Sequence, residues 1–193
     1  MHYLQIFNRV TLIINTLSIA ACLVYWVISA RLVKQTREKA GGIGSYGHLI
    51  LIAAAIIMMN LKIYPLTINL IPFSSFIGIL SIAFSISGLI IAITARRSLA
   101  GNWSVSVTFK KDHELIQSGV YKYMRHPIYS GILLMLIGTV LGVGTLGVTV
   151  GFIIIFIAFW LKLRQEEELM IKHFRDEYLQ YKKRTKALIP FLW

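Results

Sequence analysis

Four long apolar stretches organise this chain, separated by short segments that hold nearly all of its charge: Val10 to Ala30, His48 to Leu66, Leu70 to Ala95, and Ile128 to Leu163. Crossing a hydrocarbon core takes about 20 apolar residues in a helix, and the first three stretches come close to that length. The fourth is too long for one crossing and is interrupted by Gly142, Gly144 and Gly147. That interruption predicts a tight hairpin of two helices over 128–141 and 146–163. The expected architecture is therefore all-α and integral to the membrane. It has five transmembrane helices over 10–30, 48–66, 70–95, 128–141 and 146–163, and a further helix over 164–185 outside the bilayer. No internal repeat or low-complexity linker divides the chain, so residues 1–193 are expected to form a single domain.

Composition agrees with that solvent. Hydrophobic residues make up 56% of the chain and charged residues 15%, with a mean hydropathy of +0.70, which leaves too little polar surface for a water-soluble globule. With five spans, the segments 31–47 and 96–127 share one face with the tail from Lys162. These three regions hold all of the 20 lysines and arginines except Arg9 and Lys62, and all eight acids. Cytoplasmic loops carry the excess of Lys and Arg, so the N-terminus is expected outside and the C-terminus in the cytoplasm. A single tilted helix in place of the hairpin strands the tail's charges on the other face. The first apolar run is too long for the core of a signal peptide, and no small-residue cleavage pattern follows it before Arg31, Lys34, Arg37 and Lys39. It is expected to stay in the mature chain. The net charge of +12 lies beside the spans, which points to anionic lipid headgroups rather than nucleic acid. One cysteine, Cys22, falls mid-span; it excludes an internal disulfide and a cysteine-rich zinc site, and no metal is expected.

Three elements on the charged face carry candidate chemistry. Gly101-Asn102-Trp103-Ser104, followed by the alternating Val105, Val107 and Phe109, predicts an extended or re-entrant segment with Trp103 in the interfacial aromatic belt. The run from His113 to Tyr121 then leads into Arg125-His126-Pro127, a density of histidine, arginine and tyrosine beyond what a solvated loop needs. Proline fits the first turn of a helix, where its missing N–H leaves no bond unmade. Pro127 thus predicts the start of the fourth span, with Arg125 and His126 at its mouth. In the tail helix, Arg164, Glu166, Glu167 and Glu168 precede Met170, Phe174, Tyr178 and Tyr181. At about 100° per residue, Glu167 falls roughly 20° from Phe174 and continues the apolar face, while Glu166 and Glu168 lie on its flanks. Acids in a first helical turn complement the macrodipole, which accounts for the two flanking carboxylates. Glu167 points toward packed aromatics and needs a cation or polar ligand to hold its charge; it is the expected site residue.

In combination, the run from His113 to Gly131, the Glu-Glu pair of the tail, His173-Phe174, Tyr178, Tyr181-Lys182-Lys183-Arg184 and Leu188-Ile189-Pro190-Phe191 resemble the isoprenylcysteine carboxyl methyltransferase family. The short length resembles a prokaryotic member. The resemblance covers the C-terminal half, and its Arg-His-Pro-x-Tyr turn with an acidic tail helix is shared more loosely with membrane phospholipid N-methyltransferases and sterol reductases. It implies methyl transfer from S-adenosylmethionine to the carboxylate of a prenylated cysteine or similar lipophilic carboxylate, at the cytoplasmic membrane face, with S-adenosylhomocysteine as product. Position by position, it implies that His113, Glu114, Leu115, Ile116, Tyr121, His126, Pro127, Ile128 and Tyr129 bind the cofactor and that Glu167 contacts it. Arg164, one position from the family's spacing, is the implied carboxylate-orienting residue. Ser106 stands where the family carries a glutamine.

Residue chemistry is compatible with that implication. No Gly-x-Gly-x-x-Gly motif follows a predicted strand, so a nucleotide is expected outside a Rossmann scaffold, in a pocket of helix ends formed by the cytoplasmic loop and the C-terminal helix. Arg125 and His126 suit the methionine carboxylate of the cofactor, tyrosine and apolar surfaces suit adenine, and Glu167 suits its cationic charge. Glu167 and Arg164 are the expected catalytic residues. A carboxylate acceptor is already ionised and needs no general base, so the work is alignment and exclusion of water. Its prenyl tail is expected to enter between spans from the lipid. Two enzymatic alternatives differ in what they need. An amine-methylating enzyme needs a base facing the methyl group, and a nicotinamide-dependent reductase needs room for a second nucleotide or a 2′-phosphate, for which 96–127 and 164–193 offer limited surface. A non-enzymatic scaffold leaves Glu167 unexplained.

Overall fold

The computed structural model describes residues 2–39, 44–104 and 106–189, and in it the apolar stretches become helices whose faces meet through small residues. Helices α1 (His2–Ser29), α2 (Gly44–Asn60), α3 (Ser75–Leu99), α4 (Pro127–Val143), α5 (Leu146–Phe174) and α6 (Asp176–Arg184) are joined by loops, two of which contain the strands β1 (Thr36–Lys39) and β2 (Thr108–Lys110). Among the described residues, α1, α3 and α5 are long and apolar enough to cross a membrane; α2 and α4 are shorter apolar helices. Helix α3 packs along α4, α2 along α5, and α1 against α3 and α4.

Lipid tails are as apolar as leucine, so helices inside a bilayer associate through close backbone approach and interhelical hydrogen bonds. Both devices are present. A Cβ on Gly88 would lie 2.5 Å from the Gly131 carbonyl oxygen, and one on Gly131 would lie 2.6 Å from that of Gly88; glycine at both positions lets α3 and α4 touch backbone to backbone. One helical stretch further along, Asn15 Nδ2 donates to Ser81 Oγ at 2.9 Å and to the Gly138 carbonyl at 3.2 Å. Ser81 Oγ donates to the same carbonyl, and Ser85 Oγ donates to Asn15 Oδ1, each at 2.6 Å. This fully paired buried cluster ties α1, α3 and α4 into one unit. Cys22 packs beside Ala92 and Met135 as a small apolar residue.

The hairpin forms where the glycines predict it. Gly144 caps α4 in the left-handed region at φ 74°, and its carbonyl accepts from the amides of Leu70 and Ile71 at 2.7 and 3.1 Å. Elsewhere the helix limits differ from the apolar limits. Helix α1 starts at His2 rather than Val10, because a helix needs no apolar residue to continue beyond the lipid. Helix α2 stops at Asn60, short of Leu66, and α3 starts at Ser75 with Ser74 Oγ accepting from the Ile77 amide at 3.2 Å. Pro65 and Pro72 in between remove amide donors and disfavour helix at the preceding residue.

The largest departure lies at the C-terminal end. No glycine or proline interrupts 152–174, so α5 runs on past Leu163 to Phe174, and the chain turns only at Arg175 (φ 46°) before the separate α6. The expected helix over 164–185 is thus the last part of α5 followed by α6. Glu166, Glu167 and Glu168 sit deep in a helix rather than in a first turn, and the macrodipole no longer accounts for them.

The all-α expectation also missed a small sheet. Strand β1 pairs antiparallel with β2, Thr36 opposite Lys110 and Lys39 opposite Thr108. Val105, Pro190 and Phe191, which belong to the sequence patterns above, lie outside the described residues. Trp103 is turned inward rather than toward a lipid belt: its ring lies 5.9 Å from that of Trp26 and under the guanidinium of Arg96. Arg96 is fully buried and donates to the carbonyls of Ala100 and Ser29 at 2.6 and 2.8 Å, which closes the end of α3 onto the end of α1.

Candidate active site

Six chain segments converge at the polar end of the bundle and line a cleft of about 800 Å³ that includes open solvent. The end of α3 contributes Leu99, Asn102 and Trp103, the β2 region Ser106 and Thr108, the following loop His113 to Ile116, and the α4 entrance Tyr121, Arg125, His126, Ile128 and Tyr129. Glu166 and Met170 of α5 and Tyr178 and Tyr181 of α6 complete the wall. The structure brings His113, Glu114, Leu115, Ile116, Tyr121, Arg125, His126, Ile128 and Tyr129 together there. Three other expected site residues stand elsewhere, each for a physical reason.

Pro127 is fully buried at the first position of α4, where it sets the helix direction and leaves the cleft to its neighbours. Arg164 is exposed on the far side of α5, stacked 4.5 Å from the centre of the Trp160 ring; two residues along a helix from Glu166, it cannot share that residue's face. Glu167 is buried on the inner face, as its position on the helix requires, yet the cations that hold its charge come from the chain itself. Arg125 Nε donates to Oε1 and Lys182 Nζ to Oε2, both at 2.6 Å. The carboxylate in the cleft wall is its neighbour, Glu166.

The Arg125 guanidinium also donates through Nη1 to the carbonyls of Thr185 and Lys182 at 2.5 and 3.3 Å. The segment after α6 is laid across the start of α4 as an extra strand-like clip. Arg125 and His126 amides donate to the carbonyls of Lys186 and Ala187 at 2.8 and 3.0 Å, and Ser130 Oγ donates to that of Leu188 at 2.6 Å. These bonds satisfy amides at the N-terminus of α4 that lack helical partners. Arg125 thus ties α4, α5 and the tail together while lining the cleft.

Glu166 is held from several sides. Tyr129 Oη donates to Oε1 at 2.6 Å, Lys162 Nζ approaches the same oxygen at 3.7 Å, and His126 Nδ1 lies 3.6 Å from Oε2. His126 stands between the two acids, its Nε2 3.4 Å from Glu167 Oε1 without a hydrogen bond, and its ring is stacked on Tyr129. The buried Lys162 lies 5.3 Å from the Tyr129 ring centre. An acid, a tyrosine, a histidine and a lysine thus form one charged corner in an otherwise apolar and aromatic cleft.

Opposite that corner, the loop after β2 is fastened by the α1–α2 connection. Lys34 Nζ donates to the Asp112 carbonyl at 2.6 Å and pairs with Glu114 at 3.3 Å, while Glu38 on β1 pairs with Lys172 at 2.6 Å and His173 at 2.9 Å. The Lys110 amide donates to His113 Nδ1 at 3.2 Å, which places the ring proton on Nε2. Burial, with Lys34 and Lys110 nearby, lowers the His113 pKa to about 4, so this donor is neutral at physiological pH. Asn102, Thr108 and Glu166 are among the wall residues that the sequence reading does not assign to the site, whereas Ser106 stands at the position of a family glutamine. For Glu166 a signal existed: it lies one turn from both Lys162 and Met170, a spacing that aligns side chains on a helix.

Comparison with known proteins gives a consistent result. The model of the isoprenylcysteine carboxyl methyltransferase (ICMT) family matches residues 80–172. The chain is 34% identical over 83 residues to a protein-S-isoprenylcysteine O-methyltransferase of Schizosaccharomyces pombe, covering 42% of this chain and 35% of that protein. It is 30% identical over 122 residues to a probable protein-S-isoprenylcysteine O-methyltransferase of Oryza sativa subsp. japonica, covering 62% of this chain and 63% of that protein. It is also 37% identical over 81 residues to the protein-S-isoprenylcysteine O-methyltransferase of Homo sapiens, with 42% and 28% covered. The chain spans between about a third and two thirds of the length of the first of these relatives. In fold it is similar to a solved structure of the eukaryotic intramembrane Ras methyltransferase ICMT, with a TM-score of 0.56 at 22% identity over 76% of this chain and 53% of that one.

Proposed function

The chain belongs, through residues 80–172, to the isoprenylcysteine carboxyl methyltransferase family, and we propose that it transfers a methyl group from S-adenosylmethionine to the carboxylate of a prenylated cysteine or a similarly lipophilic acid. The observation that carries this reading is the charged corner at Glu166, set in an apolar and aromatic cleft at the polar end of membrane-spanning helices. The wall residues fit the cofactor: a carboxylate for positive charge, aromatic and aliphatic surface for a base, and buried polar atoms for its hydrogen-bonding edges.

When bound, S-adenosylmethionine supplies a methyl group on a sulfonium sulfur. Transfer of that methyl to a carboxylate oxygen would release S-adenosylhomocysteine and cancel the negative charge of the acceptor against the positive charge of the donor. A reaction that annihilates charge is favoured by removing water. Leu115, Ile116, Ile128 and Met170 line the cleft and would do that here, while Glu166 would hold the cationic end of the cofactor. His126 and Tyr129 fix the Glu166 carboxylate in place. No residue needs to take a proton, because the acceptor arrives ionised. Arg164 is not a candidate to orient that acceptor from its place on Trp160; Lys162, beside Tyr129 at the membrane side of the corner, is the better-placed cation.

Calorimetry on the purified protein tests the reading. S-adenosylhomocysteine is expected to bind, and a nicotinamide dinucleotide phosphate is not; the reverse pattern moves the assignment to a reductase.

The same reading orders the chain in the bilayer as five crossings, the polar end facing the cytoplasm. Lys62 and Gly144 belong to one end of the bundle, where the 61–74 connection hydrogen-bonds to the hairpin turn, and Lys111 and Lys183 belong to the other. In a Cys22→Ser background, cysteines replacing Lys62 or placed near Gly144 are expected to react with an impermeant thiol reagent outside intact cells. Cysteines replacing Lys111 or Lys183 are not, and labelling of Lys183→Cys from outside contradicts the orientation.

A further inference from the structure

Asn102 and Thr108 are each more than nine-tenths buried and both line the cleft, yet Asn102 Oδ1 and Thr108 Oγ1 find no hydrogen-bond partner among the described residues. Native proteins pair nearly all buried polar atoms, and an unpaired one carries the full penalty of losing water. This chain obeys that rule at its other buried asparagine, Asn15, whose oxygen and amide nitrogen are both engaged. Buried atoms without a partner also occur away from the cleft, at Asn8, Trp26 and Gln165 among others, but Asn102 and Thr108 both line a cleft in which a ligand can supply the missing partner. We infer that they read the nucleoside of the cofactor, with Asn102 Oδ1 accepting a hydrogen bond from the exocyclic amine of adenine and Thr108 Oγ1 bonding elsewhere on the same nucleoside. The inference rests on the methyltransferase reading given above.

The surroundings select adenine over the charged end of the cofactor. Asn102 lies in the turn that ends α3, between Leu99 and Trp103, and those two side chains belong to the apolar cluster of Tyr121 and Ile128. A neutral amide oxygen among aromatic and aliphatic groups suits a flat, neutral aromatic amine. An ammonium or sulfonium group finds a carboxylate in the same cleft at Glu166, where its charge is balanced. The two ends of the ligand thus match the two kinds of wall. A site built to hydrogen-bond a donor rejects an analogue that lacks it, because the wall atom is then left unpaired. Adenine recognition of this kind is a specificity device; the other buried wall atom without a hydrogen bond among the described residues, His126 Nε2, stands between the two acids of the charged corner instead.

The test compares S-adenosylhomocysteine with S-inosylhomocysteine, in which a 6-oxo group replaces the 6-amine, by calorimetry on detergent-solubilised protein. The unaltered protein is expected to prefer the adenosyl ligand by about tenfold or more. Asn102→Leu is expected to lose that preference and to bind S-adenosylhomocysteine about tenfold more weakly, while Thr108→Val weakens both ligands alike. In both variants the ligand-free melting temperature is expected to hold or rise, because a buried unpaired atom has been removed. A purely structural role predicts the opposite, a lower ligand-free melting temperature with unchanged ligand preference, and that result overturns the inference. Equal affinity of the unaltered protein for the two ligands overturns it with no variant needed, so failure of Asn102→Leu to fold leaves the question answerable. Binding of neither ligand overturns the methyltransferase reading as well.

Discussion

Glu167→Gln is expected to destabilise the folded protein by about 3–5 kcal/mol, the usual consequence of removing one partner from a buried ion pair. The side chains of Arg125 and Glu167 are each more than nine-tenths buried, 2.6 Å apart, and Arg125 in turn grips the carbonyls of Lys182 and Thr185. Glutamine keeps the shape but leaves the guanidinium uncompensated. The clip of residues 185–188 over the start of α4 then loses its anchor. Thermal unfolding in detergent reads the effect directly. Because two apolar residues can replace a buried ion pair with little net loss, Arg125→Leu combined with Glu167→Leu is expected to be less destabilised than the sum of the two single changes. An unchanged melting temperature for Glu167→Gln, with cofactor affinity lost, would return Glu167 to the cofactor-facing role that its helix position first suggested.

Glu166→Gln is expected to act on the ligand instead. The carboxylate is partly exposed in the cleft wall and held by Tyr129, His126 and Lys162, so glutamine preserves the Tyr129 hydrogen bond and removes only the charge. Affinity for S-adenosylmethionine should fall by about tenfold or more, on the order of 1.4 kcal/mol, with a melting temperature close to that of the unaltered protein. S-adenosylhomocysteine lacks the sulfonium charge and keeps the ammonium. A smaller loss for it than for S-adenosylmethionine places Glu166 near the sulfur, and an equal loss places it near the ammonium. No loss for either ligand removes Glu166 from the site.

The contrast between these two neighbours shows what could be read from the sequence and what could not. Helical periodicity identified the buried face of the α5 end, and Glu167 is on it. Periodicity says nothing about which distant residue fills the space opposite; the cation there is Arg125, 42 positions earlier in the chain. The chain itself supplies cations to that carboxylate, Arg125 and Lys182, from positions that no local pattern connects to it. The membrane-spanning stretches and the hairpin at Gly144 were legible because hydropathy and a left-handed glycine are local signals. The pairing of Thr36–Lys39 with Thr108–Lys110 was not, since a four-residue polar strand carries no pattern of its own and acquires a partner only when the α1–α2 connection folds back over the loop. Trp103 and Asn102 became cleft walls for the same reason: Arg96 draws the end of α3 onto the end of α1 and turns both inward. The end of α5 went past its apolar limit because nothing in 164–174 breaks a helix.

The cleft's charged corner lies at the end of the lipid-facing bundle, and this placement decides which acceptors can reach it. A prenyl chain partitions into the bilayer at about 0.8 kcal/mol per buried CH₂ and carries its terminal carboxylate to that depth. Under the proposed activity, esterification would remove a negative charge next to an anionic leaflet and strengthen membrane attachment of the product. The most direct measurement is transfer of radiolabelled methyl from S-adenosylmethionine by the purified protein to three acceptors in parallel: a farnesylated cysteine derivative with a free carboxylate, the same thioether without the prenyl chain, and phosphatidylethanolamine. Base-labile methyl ester on the farnesylated acceptor alone is the predicted result. Methylation of phosphatidylethanolamine with none on the farnesylated cysteine contradicts the account and identifies an amine-methylating enzyme.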